Sequence, residues 1–253
     1  MRRTRRGFTL IELLVVIAII ALLVSILAPM MRNIQELLRQ VICMNGLHQI
    51  NTAIDMYRKD NQYRMHPTGH APGWGFWEHP PGTRLSSFDT QAYWGVAYLP
   101  YLGNVRDVFR CPSSMGMDCE WAYDDWLQQQ TTTYGMNMYI EGSQYFAIQK
   151  PNTTIICHDA FEHRLEVREW AAPWKATDAL TAWAADPPTG INLMQWRYPC
   201  TRSYCFYYGT DGGHVKEFYR HLNKCDVLWY DGHVGSINES DGTDVPRDWY
   251  TGG

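Results

Sequence analysis

Hydrophobic and polar positions alternate in three different ways along this chain. From Phe8 to Ala28, twenty-one residues run with Glu12 as their one charge. A helix of that length rises about 31 Å, which matches a bilayer hydrocarbon core of about 30 Å. Beyond Pro29 the pattern becomes periodic. Ile34, Leu37, Leu38, Val41, Leu47, Ile50, Ile54 and Tyr57 recur at helical spacing, while Arg32, Gln35, Glu36, Arg39, Gln40, Asn45, Gln49 and Arg58 take other faces. A proline removes one backbone hydrogen bond and bends a helix without necessarily ending it. The pattern therefore predicts one helix from about Phe8 to Tyr57, apolar all round over 8–28 and amphipathic over 29–58.

The third regime, residues 61–253, is rich in Trp, Tyr, Gly and Pro and carries short β-like runs. Thr153–Cys157, Ser203–Tyr208 and Val227–Tyr230 read as strands. Asp231-Gly232 reads as a tight turn that favours positive φ, with His233–Ile237 returning as the next strand and Phe218–His221 preceding the hairpin. Segments such as 70–77 and 185–190 read as loops from their Pro and Gly content. The predicted architecture is α+β: one long amino-terminal helix laid on an antiparallel sheet with large aromatic-rich loops.

Charge sharpens this division. The formal net charge is −4, yet Arg2, Arg3, Arg5 and Arg6 crowd the amino terminus, and without them 18 basic side chains face 26 acidic ones. An acidic body argues against nucleic acid as a partner, and a basic tip before an apolar span places the amino terminus in the cytoplasm and the body outside. Seven cysteines in an exported body allow up to three disulfides and leave one thiol over. Cys43 on the helix with Cys111 in the body is one candidate pair, and Cys200 with Cys205 is another.

A cleaved secretory signal would have a shorter apolar run and a small-x-small site near its end, but no Ala-x-Ala lies between Ile17 and Met30. A plain anchor would not explain Glu12, since a carboxylate in a span costs on the order of 2.5–3.5 kcal/mol at the bilayer centre. Arginine-rich residues 1–7 followed by Gly7-Phe8-Thr9-Leu10-Ile11-Glu12 resemble the processing motif of type IV prepilins and type II secretion pseudopilins. The resemblance implies a leader, 1–7, cut after Gly7 by a prepilin peptidase that then methylates the new amino terminus at Phe8. It also implies that Glu12 pairs with the terminal ammonium of a neighbouring subunit, so that two buried charges are satisfied together and set register.

A second resemblance lies at the far end. His221, followed after nine residues by Asp231-Gly232, is similar to the His-x9-Asp-Gly pattern of a group of pseudopilin-like proteins. That group also carries Cys-Asn-Leu on the helix and Cys-Pro in the body. Cys111-Pro112 matches the second, whereas Cys43-Met44-Asn45-Gly46-Leu47 departs from the first by insertion. Opposite ends of a strand separate His221 from Asp231 by roughly 17 Å, too far for a general-base pair. The motif reads as a hairpin signature rather than a dyad.

Other chemistry has little foothold. Asp231, Asp241 and Asp244 could offer oxygen ligands to calcium, but Asp-Gly turns need no ion. No Gly-x-Ser-x-Gly elbow, phosphate loop or HExxH occurs. The expectation is a non-enzymatic subunit without cofactor, single-pass in the inner membrane with a periplasmic head, its partners being the peptidase, other pilin or pseudopilin subunits and the membrane. The alternative is a filament-mounted binding module whose loop aromatics, Trp74, Trp77 and Trp94, recognise glycans or a secreted substrate. A membrane-tethered hydrolase is a third reading, resting only on the abundance of acidic residues and histidine.

Overall fold

The computed structural model describes residues 10–66, 77–79, 83–85, 94–114, 132–137, 140, 142–159, 164–165, 219–238, 246 and 248–252, and of 77–79, 83–85 and 164–165 the backbone alone. Helix α1, Leu10–Asp60, runs unbroken through Pro29 and at 51 residues is about 77 Å long. The side chains of its membrane-length half are exposed, and its second half carries the head.

The head is built on a five-stranded sheet. Its strands are β3 (Tyr134–Asn137), β4 (Ile155–Asp159), β5 (Arg164–Leu165), β6 (Lys224–Trp229) and β7 (Val234–Asn238), in the order β5-β3-β4-β6-β7. Four of them form an antiparallel ladder, with Tyr134 opposite Asp159, His158 opposite Val227, and Leu228 opposite Val234. The expected antiparallel sheet is present in these four strands, and β5 adds to its edge parallel to β3. A separate hairpin joins β1 (Trp77–His79) to β2 (Thr83–Leu85), so Trp77 lies on a strand and not in the expected loop. The architecture is α+β and pilin-like, with α1 packed on β6, β7 and two 3-10 segments, Trp94–Leu102 and Asp107–Phe109.

The helix face that packs is not quite the expected one. Gln40, Cys43, Gly46, Leu47, Ile50, Ala53, Ile54, Tyr57 and Arg58 are buried, a stripe at i, i+3, i+4 and i+7 spacing. Ile34, Leu37, Leu38 and Val41, expected to join it, stay 49–63% exposed. They lie on a second stripe that continues the apolar surface of the membrane half. Gly46 explains the close docking: a Cβ there would stand 3.0 Å from the Val108 carbonyl oxygen. Arg58, expected on a polar face, is instead buried against the rings of Tyr230 and Tyr145, 4.2 and 5.2 Å from their centroids, with Asp55 at 3.1 Å. A cation between aromatic faces and a carboxylate is satisfied without water.

One strand begins later than its β-propensity suggests. Thr153 and Thr154 both turn their hydroxyls onto the Lys150 carbonyl, which holds them in a turn, so β4 starts at Ile155 and extends into His158 and Asp159. His158 donates from Nδ1 to the Asp159 carbonyl and accepts at Nε2 from the Tyr250 hydroxyl, on helix α2 (Asp248–Thr251). Burial pushes its pKa down to about 4. His221 lies not on a strand but in a turn, where Leu222 and Asn223 take φ of 51° and 63° and the His221 and Lys224 backbones bond to each other. Ser203–Tyr208 and the 185–190 loop lie outside the described residues.

Candidate functional site

Two features of the molecule offer function, and both belong to α1. The first is its uncovered length. From Leu10 to Gln35 every side chain is exposed, and the apolar surface extends on through Leu37, Leu38, Val41 and Ile42. Glu12 stands in the first turn, where a carboxylate is favoured by the positive end of the helix dipole. Among the described residues this is the one helix long and apolar enough to cross a membrane. Gly7 and Phe8 lie outside the described residues, so their expected roles rest on sequence.

The second feature is a buried polar knot where α1 meets the sheet. A disulfide joins Cys43 of α1 to Cys111, with Cα atoms 5.2 Å apart, within the span that such a bond requires. Glu36, two turns earlier, accepts from the Ser113 hydroxyl and from Nδ1 of His221 at 2.9 Å. Nε2 of His221 lies 3.7 Å from carboxylate oxygens of both Asp159 and Asp226 and 3.2 Å from Cys111 Sγ. Gln40 donates to Asp226 Oδ1 at 2.9 Å, and Ser236 donates to the same oxygen at 2.6 Å. Arg220 Nε stands 3.6 Å from Asp159, and its Nη2 donates to the Thr133 carbonyl. His221, Asp159 and Asp226 are all fully buried. Burial lowers the His221 pKa, against the opposing pull of Asp226 and Glu36.

The two ends of the His-x9-Asp-Gly motif do separate work in this arrangement. His221 enters the knot, while Asp231 turns onto its neighbour, accepting from the His233 backbone and lying 2.6 Å from His233 Nδ1. Gly232, at φ 93°, completes the β6–β7 turn against α1, where a Cβ would meet the Asn51 amide at 2.6 Å. Only glycine meets both demands. Asp231 is thereby engaged in its own turn, and Asp241 and Asp244, the other residues named for calcium, lie outside the described residues.

Sequence reasoning singled out His221 but missed its companions Glu36, Asp159 and Asp226. Asp159 and Asp226 had one signal: each is a carboxylate inside or beside an apolar strand. Of the aromatics named for a glycan face, Trp94 is buried, donating to the Tyr134 carbonyl and packed edge-on against Phe109, so it offers no surface. Trp74 and the Trp77 side chain lie outside the described residues, as do Cys200 and Cys205. Cys157 and Cys225 are free thiols, buried and with pKa values raised by that burial, hence unreactive.

Comparison with known proteins bears on the first feature. Residues 2–28 match the family described as the prokaryotic N-terminal methylation motif. The chain is prepilin-like at its amino terminus. It is also similar to type II secretion system core protein G of Pseudomonas aeruginosa, 33% identical over 60 residues, which are 24% of this chain and 42% of that one. The corresponding protein of Klebsiella michiganensis is 39% identical over 61 residues, with the same shares of 24% and 42%. That of Escherichia coli is 37% identical over 59 residues, 23% and 41%. The chain thus spans about two-fifths of the length of the curated relatives it matches. No solved structure matches it.

Proposed function

We propose that the chain is a structural, pseudopilin-like subunit that a prepilin peptidase cuts after Gly7 and methylates at Phe8, and that polymerises through α1 into a type II secretion or type IV pilus-like filament. The observation that carries this reading is the apolar surface of α1, continuous from Leu10 to Ile42 and uncovered throughout. A bilayer accounts for roughly the first twenty residues of it. Ile34, Leu37, Leu38, Val41 and Ile42 lie past that length and need a different cover. Neighbouring α1 helices supply it. On leaving the bilayer, the membrane half exchanges lipid for helix contacts, and Glu12 pairs with the terminal ammonium of the next subunit to set register. The head stays outside the helix core. Before assembly the four leader arginines keep the amino terminus cytoplasmic and the head periplasmic.

Mass spectrometry of the mature protein, from a host that has its prepilin peptidase, tests the processing step. The expected terminus is Phe8 carrying one added methyl. An intact Met1, or a cut near Ala28, would overturn the reading.

A further inference from the structure

His221 is set among groups that accept hydrogen bonds and do not donate them. Glu36 can only accept at Nδ1, so that nitrogen carries the proton. Its Nε2 faces the Cys111 sulfur at 3.2 Å and, at 3.7 Å, oxygens of Asp159 and Asp226, groups that also only accept. Asp226 Oδ1 already takes two donors, from Gln40 and Ser236, whereas Oδ2 is buried without a hydrogen-bond partner among the described residues. Among the described residues the Arg220 guanidinium stands 3.6 Å from Asp159. A buried carboxylate oxygen left without a hydrogen bond, as Oδ2 of Asp226 is, is costly.

The same geometry is that of a ligand set. One donor atom each from Asp159, His221 and Asp226 lies within 4.8 Å of the other two. Bonds of about 2.0–2.2 Å to tetrahedral zinc put ligand atoms about 3.3–3.6 Å apart, so the 3.7 Å separations at Nε2 need almost no contraction. Glu36 on Nδ1 provides the carboxylate–histidine support that orients imidazole ligands, and Gln40 with Ser236 fixes Asp226 through its other oxygen. Cys43 and Cys111 also stand near His221, but their sulfurs are joined and the thiolate is the ligand form.

We infer that Asp159, His221 and Asp226 form a structural site for a divalent transition-metal ion of the zinc class, pinning the sheet to α1 beside the Cys43–Cys111 disulfide. One nitrogen and two carboxylate oxygens suit such an ion better than the all-oxygen shell that calcium prefers. The ion ties β4, the turn before β6 and β6 together, with Glu36 of α1 behind the histidine.

The test uses the full chain in detergent without reductant, stripped with a chelator and re-titrated with Zn2+ alone. One zinc per chain, accompanied by a rise in Tm, is expected. Asp226→Asn, which keeps the shape and the Gln40 contact, should lose that uptake. Glu36→Gln should keep the fold by near-UV circular dichroism yet weaken binding about 10–100-fold. Co2+ on the wild type gives a readout independent of any variant's folding: a spectrum without a sulfur charge-transfer band supports the site. Such a band would place the ion on cysteine and overturn the proposal. Uptake no greater in wild type than in Asp226→Asn would overturn it too, leaving a protonated His221 to bridge the carboxylates.

Discussion

The inner and outer faces of α1 use similar aliphatic residues and meet opposite fates. On the inner face Leu47, Ile50 and Ile54 are fully buried against the head, together with polar groups that each find a partner: Gln40 on Asp226, Arg58 between two tyrosines. On the outer face Ile34, Leu37, Leu38, Val41 and Ile42 stand about half exposed or more, in line with the membrane segment. The difference shows that spacing alone does not say what covers an apolar stripe. One stripe folds the subunit, and the other stays exposed as the surface for which assembly is proposed.

Substitutions on the two faces should therefore separate stability from assembly. The largest effect is expected at Glu12→Val, which should leave processing at Gly7 intact and abolish incorporation into filaments; normal incorporation on immunoblots of sheared filaments would break the account of the outer face. Next comes the double change Cys43→Ser with Cys111→Ser. Opening a bond across a sequence separation of 68 should lower head stability by about 4 kcal/mol in the chain-entropy picture, read as a lower denaturation midpoint in detergent. Leu47→Ala, at a fully buried position, should cost about 2–5 kcal/mol. Gly232→Ala forces a left-handed φ and a contact with Asn51, and about 1–3 kcal/mol should be lost. The smallest change in stability is expected at Leu38→Ala, within about 0.5 kcal/mol, although filament yield should fall. A Leu38→Ala chain that denatures as early as Leu47→Ala would erase the distinction between the faces.

Much of the framework was legible in the residues. The span, the continuation past Pro29 and the inner positions Leu47, Ile50, Ile54 and Tyr57 followed from period and length, and the Asp231-Gly232 turn followed from its chemistry. Other positions misled. Ile34, Leu37, Leu38 and Val41 have the right period but belong to the outer stripe, because spacing reports that a face is apolar and not what covers it. Gln40 and Arg58 read as solvent-facing because their side chains are polar, yet partners brought in by the fold satisfy them inside. Thr153 and Thr154 read as strand by propensity, but their hydroxyls bond to Lys150 and hold a turn. His221 reads as the end of a strand before a turn at Asn223, but Leu222, whose side chain does not announce positive φ, joins Asn223 in the left-handed region and draws His221 into the turn.

What the sequence determined by itself is local: a basic tip, an apolar run of membrane length with one carboxylate, a helical period and a glycine turn, each set by neighbours a few residues apart. The meeting of Glu36 with His221, of Cys43 with Cys111 and of Asp159 with Asp226 was decided by the tertiary structure alone. Those pairs are separated by 185, 68 and 67 residues, and no local pattern encodes which distant charge a buried side chain will face. Chain topology settles it, because folding the sheet onto one stripe of α1 removes water from the knot and brings these distant groups against one another.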